Sequence, residues 1–141
     1  GIQGVYEKLL SFLRSDDAKQ IGIDNLRLKK IYRKLTDTTI ELEVARLLSY
    51  RITSMQSAGL VPNYESSMAK CLGSELGQFH ARRAINSLGL HGQLLKESKY
   101  SVLNGDAPNS YMYTVSRTIA GGTSEIQRNI IATRGLGLPR S

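Results

Sequence analysis

Residues 25–57 read NLRLKKIYRKLTDTTIELEVARLLSYRITSMQS, an unbroken run without a glycine or a proline. Leu28, Ile31, Leu35, Leu42, Ala45 and Ile52 follow one another at steps of three, four or seven. Those steps place them on one stripe of an α-helix and do not fit the two-residue period of a strand. A helix of this length, about 50 Å, is stable in water only if its apolar stripe lies against other helices. The spacing therefore predicts one long, tightly packed helix and demands helical neighbours.

The rest of the chain supplies them. Val5, Leu9, Leu10, Phe12 and Leu13 give a first helix over about 2–13 a broad apolar side. No capping residue precedes Ile2, so the chain is expected to be the tail of a longer polypeptide cut inside a helix. Ser15-Asp16-Asp17 and Gly22 mark a connection, and Asp24 is expected to cap the long helix. Gly59 ends that helix, and Pro62 and Asn63 restart the chain. Met68, Leu72, Leu76 and Phe79 stripe a third helix that runs to about Leu88, where LGLHGQ breaks it. Residues 96–109, with Gly105, Asp106 and Pro108, read as a loop, followed by a fourth helix over about 110–119. A last helix follows Gly121-Gly122 and stops in RGLGLPRS, where Arg134 suits the negative end of the helix dipole. No segment alternates as a strand would, and no repeat is visible. The expected fold is all-α: a single domain over 1–141, an up-down four-helix-bundle-like domain with an additional C-terminal helix.

Charge and reactive side chains exclude several functions. Lysine and arginine outnumber acids by 19 to 12, a net +7 that invites an anionic partner. Yet the densest basic runs, LRLKKIYRK and HARRA, lie inside helix-period segments with only Tyr32 interleaved, and no helix-turn-helix spacing appears. Nucleic acid is not the expected partner. Cys71 is the only cysteine, which excludes an intrachain disulfide and a cysteine metal cluster and suits a reducing compartment such as the cytoplasm. It falls in the Met68–Leu72 stripe and is expected to be a small buried hydrophobe. No charged-then-apolar leader and no apolar run near eighteen residues is present, so no membrane span is expected. His80 and His91 lack acidic partners at metal-ligand spacing and read as packing or surface histidines. Tyr111 and Tyr113 fit either the bundle core or the lining of an apolar pocket.

One segment, AGGTSEIQRNII at 120–131, admits two readings. As local structure it is a helix start. Gly121 and Gly122 allow a sharp turn, Thr123 caps, Glu125 favours the positive helix end, and Ile126, Ile130 and Ile131 continue an apolar face. The same geometry can bind a phosphate or a flavin edge.

The longer run SRTIAGGTSEIQRNIIATRGLGLPR closely resembles the end of acyl-CoA dehydrogenases, flavoenzymes that desaturate acyl-CoA thioesters between the α and β carbons. Upstream, AKQIG at 18–22 and ELEVARLL at 41–48 are similar to the family's Arg-x-x-Phe-Gly element and the helix after it. SSMAKCLGSEL at 66–76 is similar to its lysine-containing helix, and NSLGLHG at 86–92 to its Gln-x-x-Gly-Gly-x-Gly turn. The resemblance implies an FAD-dependent oxidoreductase acting on CH–CH, of which this chain is the C-terminal helical domain. A helical N-terminal and a middle β-domain would lie outside it, and the fragment alone would be inactive. It further implies acyl-CoA as substrate, electron-transfer flavoprotein as acceptor, and assembly into homo- or hetero-oligomers, dimers or tetramers. Gly122, Thr123 and Glu125 would meet the flavin of a neighbouring subunit. Asn86, Gly89, Leu90 and Gly92 would face the adenosine diphosphate half of FAD. Ala18 and Ile21 stand where the family has arginine and phenylalanine, and Lys19 supplies charge to the pyrophosphate without arginine's bidentate fork.

Dehydrogenation needs a carboxylate to take the α-proton while the β-hydrogen leaves as hydride to the flavin. Many family members place that glutamate immediately before Gly-Thr, and here the position is Gly121. Either the base comes from a segment upstream of this chain, as in other branches of the family, or the parent is a non-catalytic assembly or FAD-holding subunit. Glu125 is the nearest carboxylate in the sequence, but a helix N-terminus stabilises its charged form and suits capping better.

Overall fold

The computed structural model describes residues 2–140. Six α-helices follow one another: α1 (Ile2–Arg14), α2 (Asp16–Gln20), α3 (Asn25–Ser57), α4 (Tyr64–Leu88), α5 (Asp106–Arg117) and α6 (Ser124–Ile130). Short 3₁₀ turns at Gly89–Gln93 and Leu103–Gly105 join α4 to α5, and α6 runs into a π-turn at Ile131–Gly135. Among the described residues there is no strand, as the helical periodicity requires.

The helix starts obey local chemistry. Asp24 accepts the Arg27 amide at 2.7 Å and caps α3, a contact of about 1 kcal/mol. The helix α4 is the hub, packing against α1, α3, α5 and α6. Tyr6, Leu9 and Leu13 of α1, Ile31 and Leu35 of α3, and Ala84 and Leu88 of α4 converge with Ile23 in one core. The Tyr6 hydroxyl donates to the Leu35 carbonyl at 3.1 Å, so the ring's polar end is satisfied inside that core.

The structure corrects four expectations. A short helix, α2, occupies the expected connection because Asp16 and Asp17 favour a helix start and Lys19 its end. The helix α5 begins at Asp106, four residues before the expected start. Pro108 fits within the first turn, where a missing N–H costs nothing, and is itself buried. On α3 the expected stripe is packed, fully at Ile31 and Leu35 and partly at Leu28, Leu42, Ala45 and Ile52, while Ile40, Val44, Leu47 and Tyr50, which lie off that stripe, are all more than half exposed. In α4, Leu76 is buried but Met68 and Phe79 are not. The Phe79 ring is instead covered by the Arg83 guanidinium, 4.0 Å from its centre, which also bonds the buried Thr38 hydroxyl. In α6 the buried residues are Ser124 and Gln127, while Ile126 is exposed. Cys71 and His80 are buried as packing residues. No helix among the described residues is long and apolar enough to cross a membrane.

Candidate functional site

The diglycine turn lies at the surface between α5 and α6. Ile119 and Ala120 close the end of α5 on the Ser116 carbonyl. The backbone then turns through φ +70° at Gly121 and +94° at Gly122, a region other residues avoid. Thr123 caps α6, its hydroxyl accepting the Ile126 amide at a long 3.4 Å. Two side chains reach the turn from inside. Gln127 Nε2 donates to the Gly121 carbonyl at 2.9 Å, and Lys70 Nζ, from the second turn of α4, donates to the Gly122 carbonyl. A Cβ at Gly122 would come within 2.8 Å of Gln127 Nε2, whereas a Cβ at Gly121 would meet nothing within 4 Å. The outer side of Gly121 is therefore open to an approaching group, and the inner side of Gly122 is closed.

Two carboxylates stand near Gly121, and neither is poised to take a proton. Glu125 is exposed. Its own backbone amide and the Thr123 hydroxyl hold its carboxyl below the usual range, with Arg128 and Lys70 adding positive charge. Glu75 lines the same open cleft of about 400 Å³ with Gln78, Thr118, Ser124 and Arg128. Burial pushes the Glu75 carboxyl up, but the Ser124 hydroxyl and Arg128, 2.6 Å away, outweigh it and leave the pKa lowered. A carboxylate so stabilised is a weak base.

The second group of sequence-singled residues lies at the far end of α4. Asn86 is exposed on its last turn, and Leu90 is 80% exposed. Gly89 ends the helix at φ +64°, and a Cβ there would meet Arg27 Nη2 at 2.9 Å. That guanidinium donates to the Ser87 carbonyl at 3.2 Å. Gly92 folds back so closely that a Cβ would fall 2.8 Å from the Ile85 carbonyl oxygen. His91 Nδ1 is 3.0 Å from the Tyr100 carbonyl. Asn86 borders a groove of about 390 Å³ with Arg82, Gln93, Tyr111 and Met112.

Sixteen residues of helix separate Lys70, beneath the diglycine turn, from Asn86, which is about 24 Å along the axis. One chain thus presents two surfaces and does not gather them into one site. Lys19 belongs to neither by contact: it is exposed on α2 and pairs with Asp16 at 2.7 Å, while Ala18 beside it is buried. Tyr111 and Tyr113 are exposed, which corrects the core alternative. Tyr113 borders a pocket of about 170 Å³ with Ile2, Val5 and His80. No group of three or more potential metal ligands occurs among the described residues. Sequence reasoning passed over Gln127 and Arg27, and noted Lys70 only as the lysine of a family-like helix without its contact. Each acts on a main-chain carbonyl, and for Lys70 and Arg27 that carbonyl is more than fifty residues away, a relation no local pattern encodes.

The family model described as the acyl-CoA dehydrogenase C-terminal domain matches residues 1–136. The acyl-CoA dehydrogenase IpdE1 of Mycobacterium tuberculosis is 29% identical over 140 residues, 99% of this chain and 34% of that protein. Among solved structures, the Tcur3481-Tcur3483 steroid ACAD superposes with a TM-score of 0.85 at 25% identity, over 99% of this chain and 35% of that one. The ChsE4-ChsE5 complex of Mycobacterium tuberculosis does so with 0.76 at 27%, over the same shares. The chain spans about a third of the length of the relatives it matches. Long helices around α4, the GGTSEIQR turn and the matched family model agree: the chain belongs to the acyl-CoA dehydrogenase family and corresponds to its C-terminal helical domain.

Proposed function

We propose that this domain contributes the flavin-contacting and oligomer-forming part of an FAD-dependent acyl-CoA dehydrogenase, whose N-terminal helical and middle β-domains lie outside the chain. The observation that carries the reading is the exposed turn, with Gly121 open on its outer side and Thr123 ordered at its edge. Bound FAD would supply the hydride acceptor. Gly122, Thr123 and Glu125 would meet the flavin of a neighbouring subunit. Asn86, Gly89, Leu90, Gly92 and Lys19 would serve its adenosine diphosphate half. The separation of the two surfaces along α4 suits an extended dinucleotide or two different neighbours. The α-proton of the acyl-CoA would go to a carboxylate outside this chain, and electrons would leave to an electron-transfer flavoprotein. The 141-residue chain alone is expected to be inactive.

The test is the full-length protein. Flavin absorbance should co-purify with it, and joint replacement of Thr123 and Glu125 by alanine should lower flavin content. A colourless protein that ignores added FAD would overturn the reading. A second reading is a non-catalytic, FAD-holding subunit of a hetero-oligomer. Gly121 favours it, having no side chain at the base position, while both nearby carboxylates are ion-stabilised. Likeness to the Tcur3481-Tcur3483 steroid ACAD and to the ChsE4-ChsE5 complex adds support. Turnover of a steroid acyl-CoA by the full-length chain alone would exclude it, and turnover only after a partner subunit is added would favour it.

A further inference from the structure

Among the described residues, Lys70 is the one side chain from another helix that hydrogen-bonds the diglycine turn. Its ammonium donates to the Gly122 carbonyl across fifty-two residues of sequence. The bond is charge-assisted and half-buried, the kind that survives solvent competition best. Because a peptide unit is planar and trans, fixing the Gly122 carbonyl inward also fixes the Thr123 N–H in the opposite direction. Gln127 does the same for the preceding unit through the Gly121 carbonyl at 2.9 Å. The Arg128–Glu75 pair, 2.6 Å, fastens the first turns of α6 to the same stretch of α4. Two glycines at positive φ would otherwise be the most permissive point in the chain. Lys70 is also a positive charge close enough to the turn to help keep Glu125 ionised.

We infer that Lys70 is a positioning residue: it locks the Gly122–Thr123 peptide of the turn from behind and holds a fixed positive charge there, facing whatever anionic group docks on the outer side. The inference rests on the flavin-contact reading above for its functional consequence, and on the tether alone for its structural one. A flavin seated on the turn would gain negative charge on reduction, and the ammonium behind it would then favour the reduced form.

The experiment uses the full-length protein with Lys70→Met, Lys70→Gln and Lys70→Arg. Hydrogen exchange over residues 121–127 should quicken roughly tenfold in the Met and Gln variants, the loss of one charge-assisted bond, and return with Arg. Exchange in α1 and the rest of α4 should not change. The flavin midpoint potential should fall in Met and Gln and recover in Arg at equal flavin occupancy, a readout that loosened packing would not restore. Unchanged exchange at the turn, or an unchanged potential in flavin-loaded Met and Gln variants, would overturn the inference. Faster exchange in a protein that binds no flavin at all would leave the tether standing and defeat the flavin-contact reading instead.

Discussion

The imidazole of His80 lies against the ring of Tyr6, centroids 5.4 Å apart and planes inclined at 59°, with both ring nitrogens buried and unpartnered among the described residues. Burial, then the nearby Arg83 charge, pushes the His80 pKa down to about 4, from an ordinary 6.5. The unfolded chain therefore binds a proton that the folded one refuses between those values. Stability is fully present above about pH 6.5 and declines as pH falls toward 4, by on the order of 3 kcal/mol. Urea denaturation across that range should show the decline. His80→Leu should flatten it and raise stability at pH 7, since two unsatisfied buried nitrogens disappear.

Cys71 should be a slow thiol. Burial first, then the Glu75 carboxylate, pushes its pKa up, and its Sγ lies 3.5 Å from Glu75 Oε1. At pH 8, native protein should react with a thiol reagent roughly tenfold or more slowly than denatured protein. Glu75→Gln should quicken the native rate, while burial keeps it below the denatured one.

Thr123→Ala should cost about 0.5–1 kcal/mol. The low end of the usual range for a helix cap is expected, because the bond to the Ile126 amide is long at 3.4 Å. The same change removes a hydroxyl that helps hold the Glu125 carboxyl low, so that pKa should rise toward its ordinary value, readable by carboxyl NMR titration.

What the sequence made legible follows contact range. Asp24 and Thr123 cap helices as expected because a cap binds an amide three residues away. The all-α class followed from periodicity over long runs, which tertiary context rarely reverses. Asp106–Pro108 misled because proline breaks helices in their interior but suits their first turn, and only the structure gives its position in the turn. Ile126, expected on the apolar face, is exposed, and Gln127 beside it is buried. Gln127 is buried because its amide is needed by the Gly121 carbonyl, and local hydrophobicity carries no word of that need. The outer half of α3 shows the complementary case: the stripe residues Leu42, Ala45 and Ile52 are partly buried as their spacing implies, while Ile40, Val44 and Leu47, off the stripe, stay more than half exposed among the described residues.

Glycine substitutions separate backbone strain from crowding. A Cβ added at Gly4 or at Gly121 would meet nothing within 4 Å, so sterics predict no difference between them. Their backbones differ: Gly4 sits inside α1, whereas Gly121 has φ +70°. Gly4→Ala should stabilise by about 0.5 kcal/mol by restricting the unfolded chain. Gly121→Ala should cost about 1–2 kcal/mol, the price of a left-handed residue with a Cβ. Gly122→Ala adds a 2.8 Å clash with Gln127 Nε2 to its own positive φ, so it should cost more than Gly121→Ala and also release the Gly121 carbonyl from its tether. Urea midpoints in that order, Gly4→Ala highest and Gly122→Ala lowest with the unmodified protein second, would support a turn set by backbone conformation and inner packing. If Gly121→Ala matched or exceeded the unmodified protein, the positive φ at 121 would not be a requirement of the fold, and the account of why two consecutive glycines stand there would fail.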